Sequence, residues 1–248
     1  MEILHILGLA GMLCTAVVVL RRFSPQIYDA IILHMTSVWY ARVFVKIATT
    51  QQQQNAKESD GPFRLLDVGI GTASALLAVK DSVRATKVQV VGVDYDSAYV
   101  AAARRNVSAA GMEDQVTLHC ASIYEADAVE KDVDEKGPFD AGYFSGSFSL
   151  MPNPLEALLV VAKFVKRGGH VYITQTFQRR GFPGLSIIKP LTKYATTIDF
   201  GQLFYESELD AVLVEAEKNG LKVLSNDVIN DSVDNMFQAA RCIVLQVV

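Results

Sequence analysis

Two short stretches of this 248-residue chain carry residue types that suit a nucleotide-like ligand. The first is Leu65-Leu66-Asp67-Val68-Gly69-Ile70-Gly71-Thr72-Ala73. Glycines at 69 and 71 let the backbone turn tightly and approach a ligand where a side chain would obstruct it. The second is Val90-Val91-Gly92-Val93-Asp94, whose acid falls 23 positions after Gly71. A carboxylate at the end of a second strand can accept hydrogen bonds from the two hydroxyls of a ribose. Either stretch alone is a modest signal; the pair at this spacing is a specific one.

The elements that must position these loops alternate. Short apolar strands are expected at residues 64–68, 87–93, 116–120, 139–144 and 170–176. Helices are expected at 73–82, 97–110 and 154–165. Strands alternating with helices imply a parallel sheet covered on both faces, with the ligand crevice at the carboxyl ends of the strands. An amphipathic helix follows at 206–219, with Leu209, Val212, Leu213 and Ala216 inward and Gly220 as its stop. Strands at 221–228 and 242–247 close the sheet as an antiparallel pair. The expected fold is therefore α/β: a doubly wound, mostly parallel, seven-stranded sheet.

In these features the chain resembles the class I S-adenosylmethionine (SAM)-dependent methyltransferases of small-molecule, UbiE-like type. The family's first motif is a hydrophobic strand, an acid, then GxGxG or GxGxA, which LLDVGIGTA matches with Ala73 in the third glycine position. VVGVD matches the strand-two acid, and the resemblance extends over most of residues 61–248. It implies SAM as cofactor, with Asp67 near the methionine amino group and Gly69 and Gly71 against the methionine part and sugar. It further implies Asp94 at the ribose and Tyr95 stacked near the adenine. The family often has an acid after strand three; here Ala121-Ser122-Ile123 stands instead, so Ser122 and the backbone of Ile123 take its place. Asp140 is expected at the entry to strand four. At that strand's end Ser145, Gly146 and Ser147 would lie beside the transferred methyl, and the Asn/Asp-Pro-Pro-Tyr/Phe sequence of DNA and some protein amine methylases is absent. Asn153 is expected to cap the next helix.

The main rival is a dinucleotide oxidoreductase, which also uses a glycine loop and a strand-two acid. GIGTA lacks the full GxGxxG spacing, since Ser74 holds the last position. Asp67 would repel a pyrophosphate, whereas the sulfonium and ammonium of SAM tolerate a carboxylate. Two further readings stay open: methylation of a protein or peptide, and a non-catalytic, membrane-tethered SAM-binding protein.

Methyl transfer from SAM is an in-line displacement at carbon with a strong leaving group, so positioning carries much of the catalysis. A base is needed only when the acceptor must lose a proton. Asp199, Tyr194 and Tyr205, in or beside the Gly- and Pro-rich stretch 177–204, are weak candidates for orienting the acceptor or taking that proton. Arg179 and Arg180 could meet an anion, but an exposed basic pair is more often merely solvated.

Residues 3–20 carry no charge and are followed by Arg21 and Arg22. Eighteen helical residues reach roughly 27 Å, just short of a hydrocarbon core of about 30 Å. The charges follow the apolar run, opposite to a secretory signal, and place the catalytic domain on the cytosolic side. Residues 1–24 thus read as a membrane-associated or transmembrane helix. Residues 25–60 read as an aromatic amphipathic helix, carrying Trp39, Tyr40 and Phe44, and then a polar linker from Thr49 to Asp60. In that helix Ile27, Ile31, Met35 and Val38 share one face, and it would pack on the domain, lid the cleft or sit near lipid headgroups. The methyltransferase domain would fill residues 61–248.

Composition narrows the partners. A net charge of −4 offers nucleic acid no general attraction. Three scattered cysteines and four separated histidines show no metal-ligand spacing, so no metal is expected. The apolar N-terminus and the small residues at the methyl site favour a small, apolar or lipid-like acceptor.

Overall fold

The computed structural model describes residues 33–55, 61–181 and 203–248. The apolar run 3–20, Ile27, Ile31, Tyr194 and Asp199 lie outside the described residues. Among the described residues no helix is long and apolar enough to cross a membrane.

Helix α1 (His34–Asn55) leads into β1 (Arg64–Val68), α2 (Ser74–Ala78), α3 (Lys80–Thr86), β2 (Gln89–Asp94), α4 (Ser97–Ala109) and β3 (Val116–Cys120). Next come α5 (Asp127–Lys136), β4 (Phe139–Ser145), α6 (Pro154–Phe164), β5 (Val165–Gln178), α7 (Glu206–Lys218), β6 (Leu221–Val228) and β7 (Gln238–Val247). The seven strands lie in the order β3-β2-β1-β4-β5-β7-β6. β7 runs opposite to the other six strands of this sheet, pairing antiparallel with β5 and β6, so the sheet is mixed. Sequence order reverses between β1 and β4, the point at which such sheets open a crevice at their carboxyl ends.

β1 is buried along its whole length, which is why it reads as an apolar run rather than an alternation. One face of the sheet is covered by α1 to α4, the other by α5, α6 and α7. Two caps fix helix starts at the crevice side: Asp96 accepts from the amides of Ala98 (2.8 Å) and Tyr99 (3.3 Å), and Asn153 accepts from Glu156 N (3.2 Å). At the opposite ends of the strands Asp140 accepts from Arg64 N (2.7 Å) and pairs with Lys166, while the Arg64 side chain pairs with Asp132.

Three expectations are corrected. The linker expected from Thr49 is helical as far as Asn55: glutamines lose little rotamer freedom in a helix, and Gln51 Nε2 donates to Thr86 O at 3.0 Å. The buried stripe of α1 is Trp39, Tyr40, Val43, Phe44 and Ile47, all within 2% exposed, and Met35 and Val38 only flank it. The helix therefore shares the core of the sheet. The single helix expected at 73–82 is broken at Val79 (φ −112°) into α2 and α3.

Candidate functional site

The loop after β1 is held by the strand beside it. Gly69 N donates to Val93 O at 2.8 Å, and Gly71 N donates to Asp94 Oδ2 at 3.0 Å. The other oxygen of Asp94 accepts from Asp96 N at 2.9 Å. One carboxylate thus ties the loops after β1 and β2 together and keeps lone pairs for a ligand. Gly69 and Gly71 have φ of +75° and +59°, which a side chain rarely tolerates. A Cβ on Gly69 would also stand 2.5 Å from Ser147 Cβ. Ala73 takes the same left-handed backbone (φ 58°) without being glycine. Asn106 Nδ2 braces the loop from α4 by donating to Thr72 O at 3.0 Å, and the hydroxyls of Thr72 and Ser74 lie 2.8 Å apart.

Asp67 is fully buried beside this loop. Its Oδ2 accepts a 2.6 Å hydrogen bond from the hydroxyl of Tyr40 on α1, and its Oδ1 has no hydrogen-bond partner among the described residues. Burial pushes the Asp67 carboxyl up to about 7; the Tyr40 bond opposes this and the nearby Asp94 charge adds to it. Burial also raises Tyr40, and the Asp67 charge beside it acts in the same direction. Asp94 is raised by burial too, against the two amides that favour its ionised form. Tyr143 packs edge-on against Tyr40 with ring centroids 5.0 Å apart, and its hydroxyl lies 2.8 Å from that of Thr174.

A cleft of about 80 Å³ opens here, lined by Leu33, Thr36 and Tyr40 of the N-terminal segment, by Gly69 to Thr72, and by Ser145. Its size suits part of a ligand rather than a whole nucleoside, since complete small-molecule sites run to roughly 300–1,000 Å³. Among the described residues the buried Ser145 hydroxyl has no well-formed hydrogen bond, although it lies close enough to Tyr40 and Tyr143 to favour their ionised forms. Trp39 covers the end of β4: a Cβ on Gly146 would meet its ring at 3.3 Å, and its Nε1 donates to Ser232 Oγ at 3.0 Å.

The structure thus brings together Asp67, Gly69, Gly71, Asp94 and Ser145. Tyr95 follows β2 on the surface, 80% exposed. Ser122, at the end of β3, accepts from Tyr124 N at 3.2 Å, and the Ile123 side chain packs into the core of the far face. Tyr205 begins α7, its amide donating to Glu208 Oε2 at 2.7 Å, and does not line the cleft. Arg179 is paired with Asp234 (2.7 Å) and Glu206 (3.4 Å), which removes it as a ready anion site. Among the described residues no cluster of His, Cys, Asp or Glu could hold a metal ion. In the sequence Tyr40 reads as aromatic bulk; its bond to a residue 27 positions on leaves no local spacing to read.

Residues 65–169 match the family model described as a methyltransferase domain. This match, with the seven-stranded α/β sheet around it, supports a class I SAM-dependent methyltransferase. Among curated proteins, a phosphatidylethanolamine N-methyltransferase of Cereibacter sphaeroides is 28% identical over 135 residues, which is 54% of this chain. The match spans 61% of that relative's length. A candidate sarcosine dimethylglycine methyltransferase from Galdieria sulphuraria superposes with a TM-score of 0.58 at 14% identity, covering 83% of this chain and 85% of that one. A geranyl diphosphate C-methyltransferase from Streptomyces coelicolor A3(2), solved with S-adenosylhomocysteine, superposes with a TM-score of 0.54 at 13% identity, covering 75% and 71%.

Proposed function

We propose that this protein transfers a methyl group from SAM to a small, apolar or lipid-like acceptor. The observation that carries the reading is the Asp94 carboxylate. It ties the loops after β1 and β2 at the switch point of the sheet and sits beside a buried acid that a cationic ligand would neutralise. In this reading Asp94 holds the ribose and Tyr95 lies along the adenine. Ser122 and the backbone of Ile123 meet the adenine edge, and Ser145 faces the sulfonium side. Gly69 and Gly71 let the backbone reach the sugar and the methionine part. Asp67 supplies negative charge to the ammonium end. What SAM brings is an activated methyl on a good leaving group; the chain's own part is to orient it, exclude water and place the acceptor in line. A proton on the acceptor, if any, would leave to Tyr205 or to Tyr194 or Asp199.

The acceptor class rests on two supports. The curated relative is named for a phospholipid substrate. Residues 3–20 are apolar enough to hold the domain at a membrane, with the catalytic domain on the cytosolic side.

Isothermal titration of the full chain with SAM, S-adenosylhomocysteine and NADH tests the cofactor; binding of the first two alone is expected. NADH binding in their place would transfer the site to an oxidoreductase. Release of labelled methyl to phosphatidylethanolamine vesicles, an apolar small molecule and a peptide pool then tests the acceptor. Transfer to the peptides alone would overturn the lipid-like class.

A further inference from the structure

We propose that Tyr40, reaching in from α1, is the residue that meets the ammonium end of the cofactor, and that Asp67 acts behind it by fixing the hydroxyl's orientation. This rests on the reading of function above. Tyr40 lines the cleft, whereas Asp67 does not and is fully buried. The Tyr40 proton is committed to Asp67 Oδ2 at 2.6 Å, so toward the cleft the phenol oxygen can only accept. Ser145 adds a second buried hydroxyl without a well-formed bond, in the same lining. Among the described residues no Lys, Arg or His lines the cleft, so these acceptors have no cation there. Buried polar atoms are as a rule paired, and a ligand with a positive donor group supplies what this set lacks. The cavity of about 80 Å³ fits a short polar tail. The backbone amides of Gly69 and Ile70 are already spent on Val93 O, so they do not serve that tail.

Tyr40 is held there by structure beyond its own bond. Its ring packs edge-on against Tyr143, and the neighbouring Trp39 ties α1 to Ser232. Tyr40→Phe keeps the ring and its packing while deleting the hydroxyl, so it separates contact from scaffolding.

The test titrates the full chain and Tyr40→Phe with S-adenosylhomocysteine and with its analogue in which hydrogen replaces the amino group. The unaltered protein should prefer the natural ligand by about tenfold to a hundredfold, the range for a hydrogen bond to a charged group. Tyr40→Phe should erase that preference by weakening the natural ligand alone. Equal losses for both ligands, or no loss, would overturn the inference and leave the proposed function standing. Binding of neither ligand by the unaltered chain would overturn both. Should Tyr40→Phe fail to fold, the unaltered chain still decides, since no preference for the amino group sinks the idea and a preference lost in Ser145→Ala alone assigns the contact to Ser145.

Discussion

Helix α1 borders two hollows, one at each end of the sheet. The upper one, at the carboxyl ends of β1 and β4, is the cleft of about 80 Å³. The lower one is a hollow of about 430 Å³ between the second half of α1 and β5 to β7, lined by Arg42, Lys46, His170, Tyr172 and Ser225 among others. Size favours the lower hollow, but chemistry favours the upper. His170 and Ser225 also carry buried ring and hydroxyl atoms without a partner among the described residues, yet no fully buried carboxylate lines this hollow. Lys46 is 3.6 Å from Asp227, and burial pushes His170 toward its neutral form, with the nearby Lys166 charge adding to that. At the upper cleft a fully buried carboxylate, two positive-φ glycines and a bridging Asp94 converge on one point. A functional site is marked by groups held at a cost, more than by empty volume.

The sharpest way to break this contrast is Gly69→Ala. The added methyl meets Ser147 in a left-handed backbone, so a loss of about 2–4 kcal/mol and of detectable cofactor binding is expected, read by chemical denaturation and titration. Asp94→Ala should follow, weakening S-adenosylhomocysteine by roughly a hundredfold, since both loop ties and the ribose contact go together. The double variant Arg42→Ala/Lys46→Ala in the lower hollow should leave that affinity unchanged; an equal loss there would erase the distinction between the hollows.

Acidity sharpens the contrast further. Asp67 faces Tyr40 from α1, Tyr143 from β4 and Asp94 from β2, with no cation among them. Its folded value of about 7 exceeds an unfolded value near 3.9, so the folded state binds the extra proton between them. Stability of the free protein should therefore be fully present below pH 4 on this account and fall as pH rises to about 7, by up to about 4 kcal/mol. Asp67→Asn should flatten that slope in denaturation curves taken across the same range. The smallest effect is Ala73→Gly, which relieves a left-handed alanine and should change stability by less than about 1 kcal/mol; a larger gain would mean the loop stores real strain.

Much of the scaffold was legible because its central strands β1, β2 and β4 are buried along nearly their whole length and bounded by turn residues. β3 and β6 fall where the apolar runs place them, and Asn153 and Gly220 act as the cap and stop their types imply. Helix α5 (DAVEKDVDEK) was not anticipated: it offers only Ala128, Val129 and Val133 as apolar positions, too few to show a period. β5 starts at Val165, earlier than expected, with a register shift against β4 between Phe139 and Ala141. At the site, glycines and acids announce themselves by spacing. Tyr40 does not, because a tyrosine on an apolar helix looks like packing until the fold brings a carboxylate to it.

The direction in which α1 enters the domain has a consequence for traffic. Leu33, Thr36 and Tyr40, at its leading end, line the cleft, and the whole helix spans about 33 Å, running along the sheet toward the opposite end. Whatever precedes residue 33 therefore joins the domain at the mouth of the cleft. If that segment rests in a bilayer, as proposed, the mouth is held at the lipid surface. An acceptor would then arrive by lateral diffusion, a search in two dimensions, and would leave methylated without crossing water.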